Sequence, residues 1–257
     1  MEFKLFIAGC ILFVIAILMF SIRKYFENTL HYNFFKNIYC LIDALWTSLI
    51  MASIIMFFFI QAFKIPSGSM RNTLLEGDHL FVNKFIYGFH IPFTNNGRRY
   101  LSLRNVSRGD IVVFQCPPEA LTISERGSGI KKDFIKRCVA VADDVVEIRD
   151  KKLFVNGINV NEEYVVLNDT EIIKSPNLFK DKNKYQKTWE TGKFTIFNIS
   201  VRDNFGPISI PKGYYMMMGD NRDFSSDSRF WGPVADKYIK GRALFIYWPI
   251  NRLRIIR

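Results

Sequence analysis

Two long apolar runs and a series of short ones divide this chain. Leu5 to Ile22 reads LFIAGCILFVIAILMFSI without a charge, and about 18 to 20 such residues cross the hydrocarbon of a bilayer as a helix. Leu41 to Phe63 is a second such run, in which Asp43 is the sole charge and sits near one end, within reach of headgroups or water. Both are expected to be membrane spans. A cleaved signal peptide is the rival reading of the first run, but that run is longer than a usual signal-peptide core and ends in SIRKYF, without small residues for cleavage.

Beyond Lys64 the period changes. HLFVNKFIY, DIVVF, DFIKRCVAV, VVEI, KLFVNGINV, KFTIFNI, YYMMM and GRALFIYW are short runs rich in Val, Ile, Phe and Tyr, separated by turn residues and without sustained helical spacing. They predict a mostly β domain, in which Asn156 and Gly157 form the two-residue turn of a hairpin. Lys174 to Lys193 holds six lysines against Asp181 and Glu190 with little pattern. It is expected to be a solvated surface loop, with contact to an anionic membrane as the alternative. The expected organisation is a first span and short loop over 1–40, a second span over 41–64, and one β-rich domain over 65–257.

Composition changes this picture little. The chain of 257 residues is 49% hydrophobic, enough for one substantial soluble domain once the spans are set aside. Its net charge of +11 attracts anionic surfaces, lipid and nucleic acid alike, and does not choose between them. The basic residues Arg23, Lys24 and Lys36 between the spans, against Lys64 and Arg71 beyond them, give a weak bias toward a hairpin with its short loop in the cytoplasm and both ends outside. Of four cysteines, Cys10 and Cys40 lie in or beside the spans. Cys116 and Cys138 sit in strand-like runs as buried small hydrophobes, with a disulfide between them as the alternative in an exported domain.

The chemistry starts at IPSGSMRNTLLEGD, directly after the second run. Proline, glycine and two serines in a row turn a chain sharply, so this is either a juxtamembrane linker or a device that presents Ser67 or Ser69 for reaction. His79 or His90 could serve as the base of a triad, yet neither lies in a stretch built for catalysis. HExxH, paired CxxC, GxSxG, P-loop and GxGxxG patterns are absent. A lysine remains as the base, and it must lie among apolar groups to be neutral near pH 7. In DFIKRCVAVADD, alternation puts Phe134, Lys136, Cys138 and Ala140 on one strand face, so Lys136 is a charged residue on an apolar surface. A lysine snorkelling to solvent from an edge strand has the same pattern.

PSGSMRNTLLEGDHLFVNKFIYG, RGDIVVFQCP, DFIKRCVAV and YYMMMGDNRDFSSDSRFWGPV, in this order after two apolar runs, resemble the conserved boxes of bacterial type I signal peptidases, also called leader peptidases. The resemblance covers roughly Ile65 to Val141 and Tyr214 to Trp248; 161–210 matches loosely. It implies a membrane-anchored, mainly antiparallel β peptidase with Ser69 as nucleophile and Lys136 as general base. Ser67 and the Ser69 amide are implied as the oxyanion hole, Ser225 as the residue that orients the lysine, and Asp220, Arg222, Asp227 and Arg229 as its charged scaffold, with Asp220 paired to Arg137. It further implies removal of signal peptides from exported preproteins after small residues, on the outer face of the bacterial inner membrane. An apolar surface that includes FHIPF would lie on the bilayer. Phospholipid and preprotein are the implied partners; no metal, cofactor or nucleic acid is.

One departure is visible. Members of that family usually carry proline two residues after the Met of SGSM, where this chain has Asn72, a residue that tolerates unusual backbone angles. Two other readings share parts of the pattern. Self-cleaving regulators use a Ser/Lys pair but lack a transmembrane hairpin, and a basic membrane-tethered binding module would not need Lys136 on an apolar face.

Overall fold

The computed structural model describes residues 2–25, 31–90, 99–121, 125, 132–174, 181–196 and 200–256. The chain divides into two compact units, Met1–Gln61 and Ala62–Arg257.

The first unit is a pair of helices, α1 (Glu2–Tyr25) and α2 (Tyr32–Phe58). Their contacts place Phe13 on Trp46 and Phe20 on Tyr39, with ring centroids 4.8 and 5.8 Å apart. Among the described residues, Tyr32–Met56 is the one helix long and apolar enough to cross a membrane; the apolar part of α1, Phe6–Ile22, is shorter. By length and apolarity α2 alone meets this measure, so the other expected span is not shown by the helices. Their boundaries also differ from the expectation. Neither glycine nor proline interrupts Tyr32–Phe58, so α2 begins nine residues before Leu41, and Asp43 lies well inside it, where the Trp46 indole donates to its carboxylate at 2.9 Å. The helix also stops before Phe63. Ile60–Lys64 is a strand, β1, because from Ile60 onward the chain joins a sheet, and Phe63 and Ile65 pack into a core that a helix would not reach.

The second unit is mainly antiparallel β. Its strands are β2 (His79–Asn83), β3 (Phe89–His90), β4 (Arg99–Tyr100), β5 (Ile111–Gln115), β6 (Asp133–Ala140), β7 (Val145–Arg149), β8 (Lys152–Val155) and β9 (Ile158–Asn159). After the helices α3 (Lys182–Glu190) and α4 (Lys193–Ile196) come β10 (Phe205–Ser209), β11 (Tyr214–Met218), the short α5 (Ser228–Trp231), β12 (Val234–Ala235), β13 (Ile239–Trp248) and β14 (Arg254–Ile255). The large sheet runs β1-β2-β13-β5-β6-β11-β12 with β14 on β13; a second sheet runs β10-β7-β8-β9; β3 and β4 pair alone.

Strand β5 shows why both faces of the large sheet are apolar. Ile111 and Val113 enter one buried cluster with Met70, Leu74 and Ile246, while Val112 and Phe114 enter another with Cys138, Met217 and Trp231. The Asn156-Gly157 turn is present as expected, with φ of +54° and +78°, the pair that a two-residue hairpin turn requires.

Two expectations change. Lys193–Ile196 of KFTIFNI is a helical turn, not a strand, and the rest of that run lies outside the described residues. The lysine-rich stretch contains α3, whose lysines face solvent while Trp189 is fully buried and Tyr185 half-buried. Both changes have one cause: Trp189 and Phe194 complete the core over the second sheet with Val146, Ile148 and Phe205, and that burial outweighs weak local propensity. Cys116 and Cys138 are free thiols, each buried. Of FHIPF, Phe89 and His90 form β3 and the remainder lies outside the described residues.

Candidate active site

The PSGSM stretch folds as an extended approach followed by one tight turn. Ser67 is extended, with φ −142° and ψ 156°, and Gly68–Met70 form a single 3-10 turn. Met70 and Leu74 are fully buried and pin this turn to the core under β2 and β13. Ser69 is thereby drawn almost wholly out of solvent, at 8% exposure.

Strand β6 delivers the lysine. Its register on β5 sets Val112 beside Lys136 and Ile111 beside Arg137. Lys136 is 5% exposed, and its Nζ lies 2.5 Å from Ser69 Oγ. Burial pushes the Lys136 pKa down from 10.5 to about 8, with Arg229 adding to the fall and Asp227 and Asp220 opposing it. The arrangement joins a hydroxyl to an amine that gives up its proton far more readily than a free lysine does.

A polar scaffold stands around this pair. Asp220 takes Arg137 in a two-pronged bond, Nε to Oδ1 at 2.9 Å and Nη2 to Oδ2 at 2.7 Å, both side chains buried. Thr73 donates to the same carboxylate at 2.5 Å, and the Arg137 guanidinium lies 3.8 Å from the centre of the Tyr164 ring. Asp227 is fully buried; burial alone would raise its pKa, but Arg229, Lys136 and Ser225 hold it below the ordinary carboxylate value. It accepts from Arg229 Nε at 2.8 Å and from the Gly219 amide at 3.2 Å. Arg222, also buried, reaches Glu162 with Nη1 at 2.7 Å.

Ser67 lies exposed on the wall of the cleft that opens over Ser69. Ser225 is buried, and its hydroxyl, close to Asp227, completes no hydrogen bond of normal geometry with Lys136 or any other described group. Gly219 explains how the loop comes so close: a Cβ there would stand 2.3 Å from Ser225 Oγ and 2.4 Å from the Ser69 carbonyl oxygen. His79 lies against Tyr247 and does not line the cleft.

Several contributors had no role assigned from the sequence. Asn221 donates its backbone N–H to the Ser69 carbonyl at 3.1 Å and its side-chain amide to the Gly68 carbonyl at 3.0 Å, so it grips the serine turn from above. Its place inside GDNRD was the one available signal. Glu162 and Tyr164 sit in the loosely matched middle of the chain, and their partners are far along the sequence. Asn72 has φ +82°, and its amide reaches the Tyr164 carbonyl at 3.1 Å. Proline cannot adopt that angle, so the departure at this position has a backbone reason. The cleft itself holds about 680 Å³.

Among known proteins, residues 38–248 match the family model described as "Signal peptidase, peptidase S26". The Signal peptidase I of Pseudomonas fluorescens is 34% identical over 212 residues, 76% of this chain and 68% of that protein. For Pseudomonas aeruginosa the values are 33% over 205 residues, 75% and 66%, so the chain spans about two thirds of the length of both relatives. The Signal peptidase I of Helicobacter pylori is 31% identical over 260 residues, 85% of each chain.

Proposed function

This chain belongs to the signal peptidase family, peptidase S26, and on that premise we propose that it is a membrane-anchored serine endopeptidase that removes signal peptides from exported preproteins. Ser69 is the nucleophile and Lys136 the general base. The observation that carries this reading is the 2.5 Å approach of a buried Lys136 Nζ, its pKa lowered to about 8, to Ser69 Oγ.

In the first step neutral Lys136 takes the Ser69 proton as Oγ attacks the scissile carbonyl. The Ser69 N–H and the Ser67 hydroxyl stabilise the tetrahedral oxyanion, after which the Lys136 ammonium returns a proton to the leaving amine. Water then attacks the acyl-enzyme with Lys136 again as base. With a pKa of about 8, roughly one lysine in ten is neutral at pH 7, against about one in three thousand for an unperturbed lysine near 10.5. Asp220, Arg222, Asp227, Arg229 and Arg137 hold the two loops in register, and Ser225, whose hydroxyl makes no hydrogen bond to Lys136 in this structure, would turn toward the amine to orient it. No step needs a metal or cofactor.

We further propose that α1 and α2 form a transmembrane hairpin, with the β unit on the outer face of the bacterial inner membrane, and that cleavage follows small side chains one and three positions before the bond. The reading is tested by cleavage of a purified preprotein by the solubilised wild type beside Ser69→Ala and Lys136→Ala, with the new N-terminus sequenced. Only the wild type should cut, after a small residue at the end of the signal peptide. Equal cutting by all three would remove the dyad assignment.

A further inference from the structure

The turn Arg222–Phe224 is held inward from both ends. Arg222 is buried on Glu162. The Asp223 carboxylate accepts the amides of Asn168 at 2.6 Å and Asp169 at 2.9 Å and faces the Lys151 ammonium at 3.3 Å. Ser225, on the far side, is buried as well. Between these fixed neighbours Phe224 points outward, 66% exposed, into the cleft over Ser69 and Lys136.

A single exposed ring is ordinary on a protein surface; the surroundings of this one are not. The charged side chains along the same cleft already have partners within the protein: Arg71 pairs with Glu76, Lys132 with Glu125 and Asp133 with Lys240. Beside these charges and the hydroxyls of Ser67 and Ser226, the cleft offers the apolar surfaces of Pro66, Phe134, Ile135 and the ring of Phe224. Such a wall gains little from a charged peptide and most from removing an uncharged, apolar side chain from water.

We infer that Phe224 is a specificity-determining residue, whose ring forms one wall of a subsite for an apolar side chain of the substrate peptide, within a few residues of the bond that Ser69 attacks. The inference rests on the proposed Ser69 and Lys136 dyad. The rigid turn beneath the ring makes the subsite ready before substrate arrives, so its contribution falls on binding and not on the chemical step.

The experiment uses the full chain in detergent and a set of peptide substrates in which each position flanking the bond carries Leu or Ser in turn. Phe224→Ala should raise KM about tenfold for peptides with Leu at one position, with kcat within about twofold of wild type. At that position the exchange of Leu for Ser should cost the wild type about tenfold and the variant almost nothing. Phe224→Leu, which keeps an apolar surface, should retain most of the discrimination. An alanine variant with wild-type KM across the set, or with an equal loss of kcat on every peptide, overturns the inference. If the wild type cuts in a Ser69-dependent way and Phe224→Ala is indistinguishable from it, only Phe224 loses its role; if the wild type leaves every peptide uncut, the dyad reading and this one fall together.

Discussion

Replacing Lys136 by methionine should stabilise the protein at neutral pH while abolishing its activity. Methionine fills a similar volume with a flexible apolar stem and brings no charge into the site. In the folded chain burial lowers the Lys136 pKa from 10.5 to about 8; at about 1.4 kcal/mol for each tenfold change in proton affinity, folding disfavours its ammonium by about 3 to 4 kcal/mol below pH 8. The sign follows from proton counts. Between about 8 and 10.5 the unfolded chain keeps a proton that the folded chain has released, so wild-type stability rises with pH there. Below that window both states hold the proton and the full penalty is present. The Ser69 hydroxyl, left without its partner, takes back about 1 kcal/mol. Lys136→Met should therefore be about 2 kcal/mol more stable at pH 7, a rise of roughly 4 to 8 °C in the midpoint of the β unit, and the gain should shrink nearly to zero by pH 9.5. Thermal unfolding of the solubilised pair followed by tryptophan fluorescence at both pH values measures this. A variant no more stable than wild type at pH 7, or a gain that is the same at pH 9.5, would refute the argument that burial costs the amine its proton.

The same shift governs turnover: with chemistry limiting, kcat should rise about tenfold per unit up to pH 8 and level off above it, whereas a flat profile from pH 6 to 9 would remove Lys136 as the base. Asp220→Ala strips the buried Arg137 of its two-pronged partner and should cost about 3 to 5 kcal/mol in urea unfolding; a loss below about 1 kcal/mol would mean that Arg137 finds water or another acceptor. Asn72→Gly should keep near-wild-type activity because glycine adopts φ +82° freely, while Asn72→Pro should cost about 3 kcal/mol or more and most of the turnover. Wild-type turnover in the proline variant would mean that the serine turn does not depend on that angle.

How legible these features were depended on how far apart along the chain their causes lie. Strands such as Ile111–Gln115 and the Asn156-Gly157 turn write their cause into adjacent residues, and reading short β-branched runs and turn chemistry found them. Helix α3 did not, because Tyr185 and Trp189 are two apolar positions among lysines, too few to show a period until the sheet they cover is known. The end of α2 was misplaced for a related reason: apolar content looks alike in a helix and in β1, and only pairing with β2 tells them apart. In the site, Ser69 and Lys136 were singled out by matching boxes and by a charge on an apolar face, but nothing local showed that residues 67 apart would touch. Glu162 was invisible, since the contact that ties it to the site, with Arg222, lies 60 residues onward. Phe224 stood in plain view inside a matched box, yet a phenylalanine there reads as core until its exposure is known.

Asn221 closes over Gly68 across a sequence separation of 153, the span over which the candidate site must be gathered. Contacts of that range form late, after the loops between them have paid their closure entropy. If the proposed dyad is right, a chain emerging from synthesis carries Ser69 and Lys136 apart, the one hydrated and the other protonated, without the pairing that cleavage would require. On the proposed dyad, competence to hydrolyse arrives together with the completed β unit, so the order of folding itself delays the chemistry until the domain is formed.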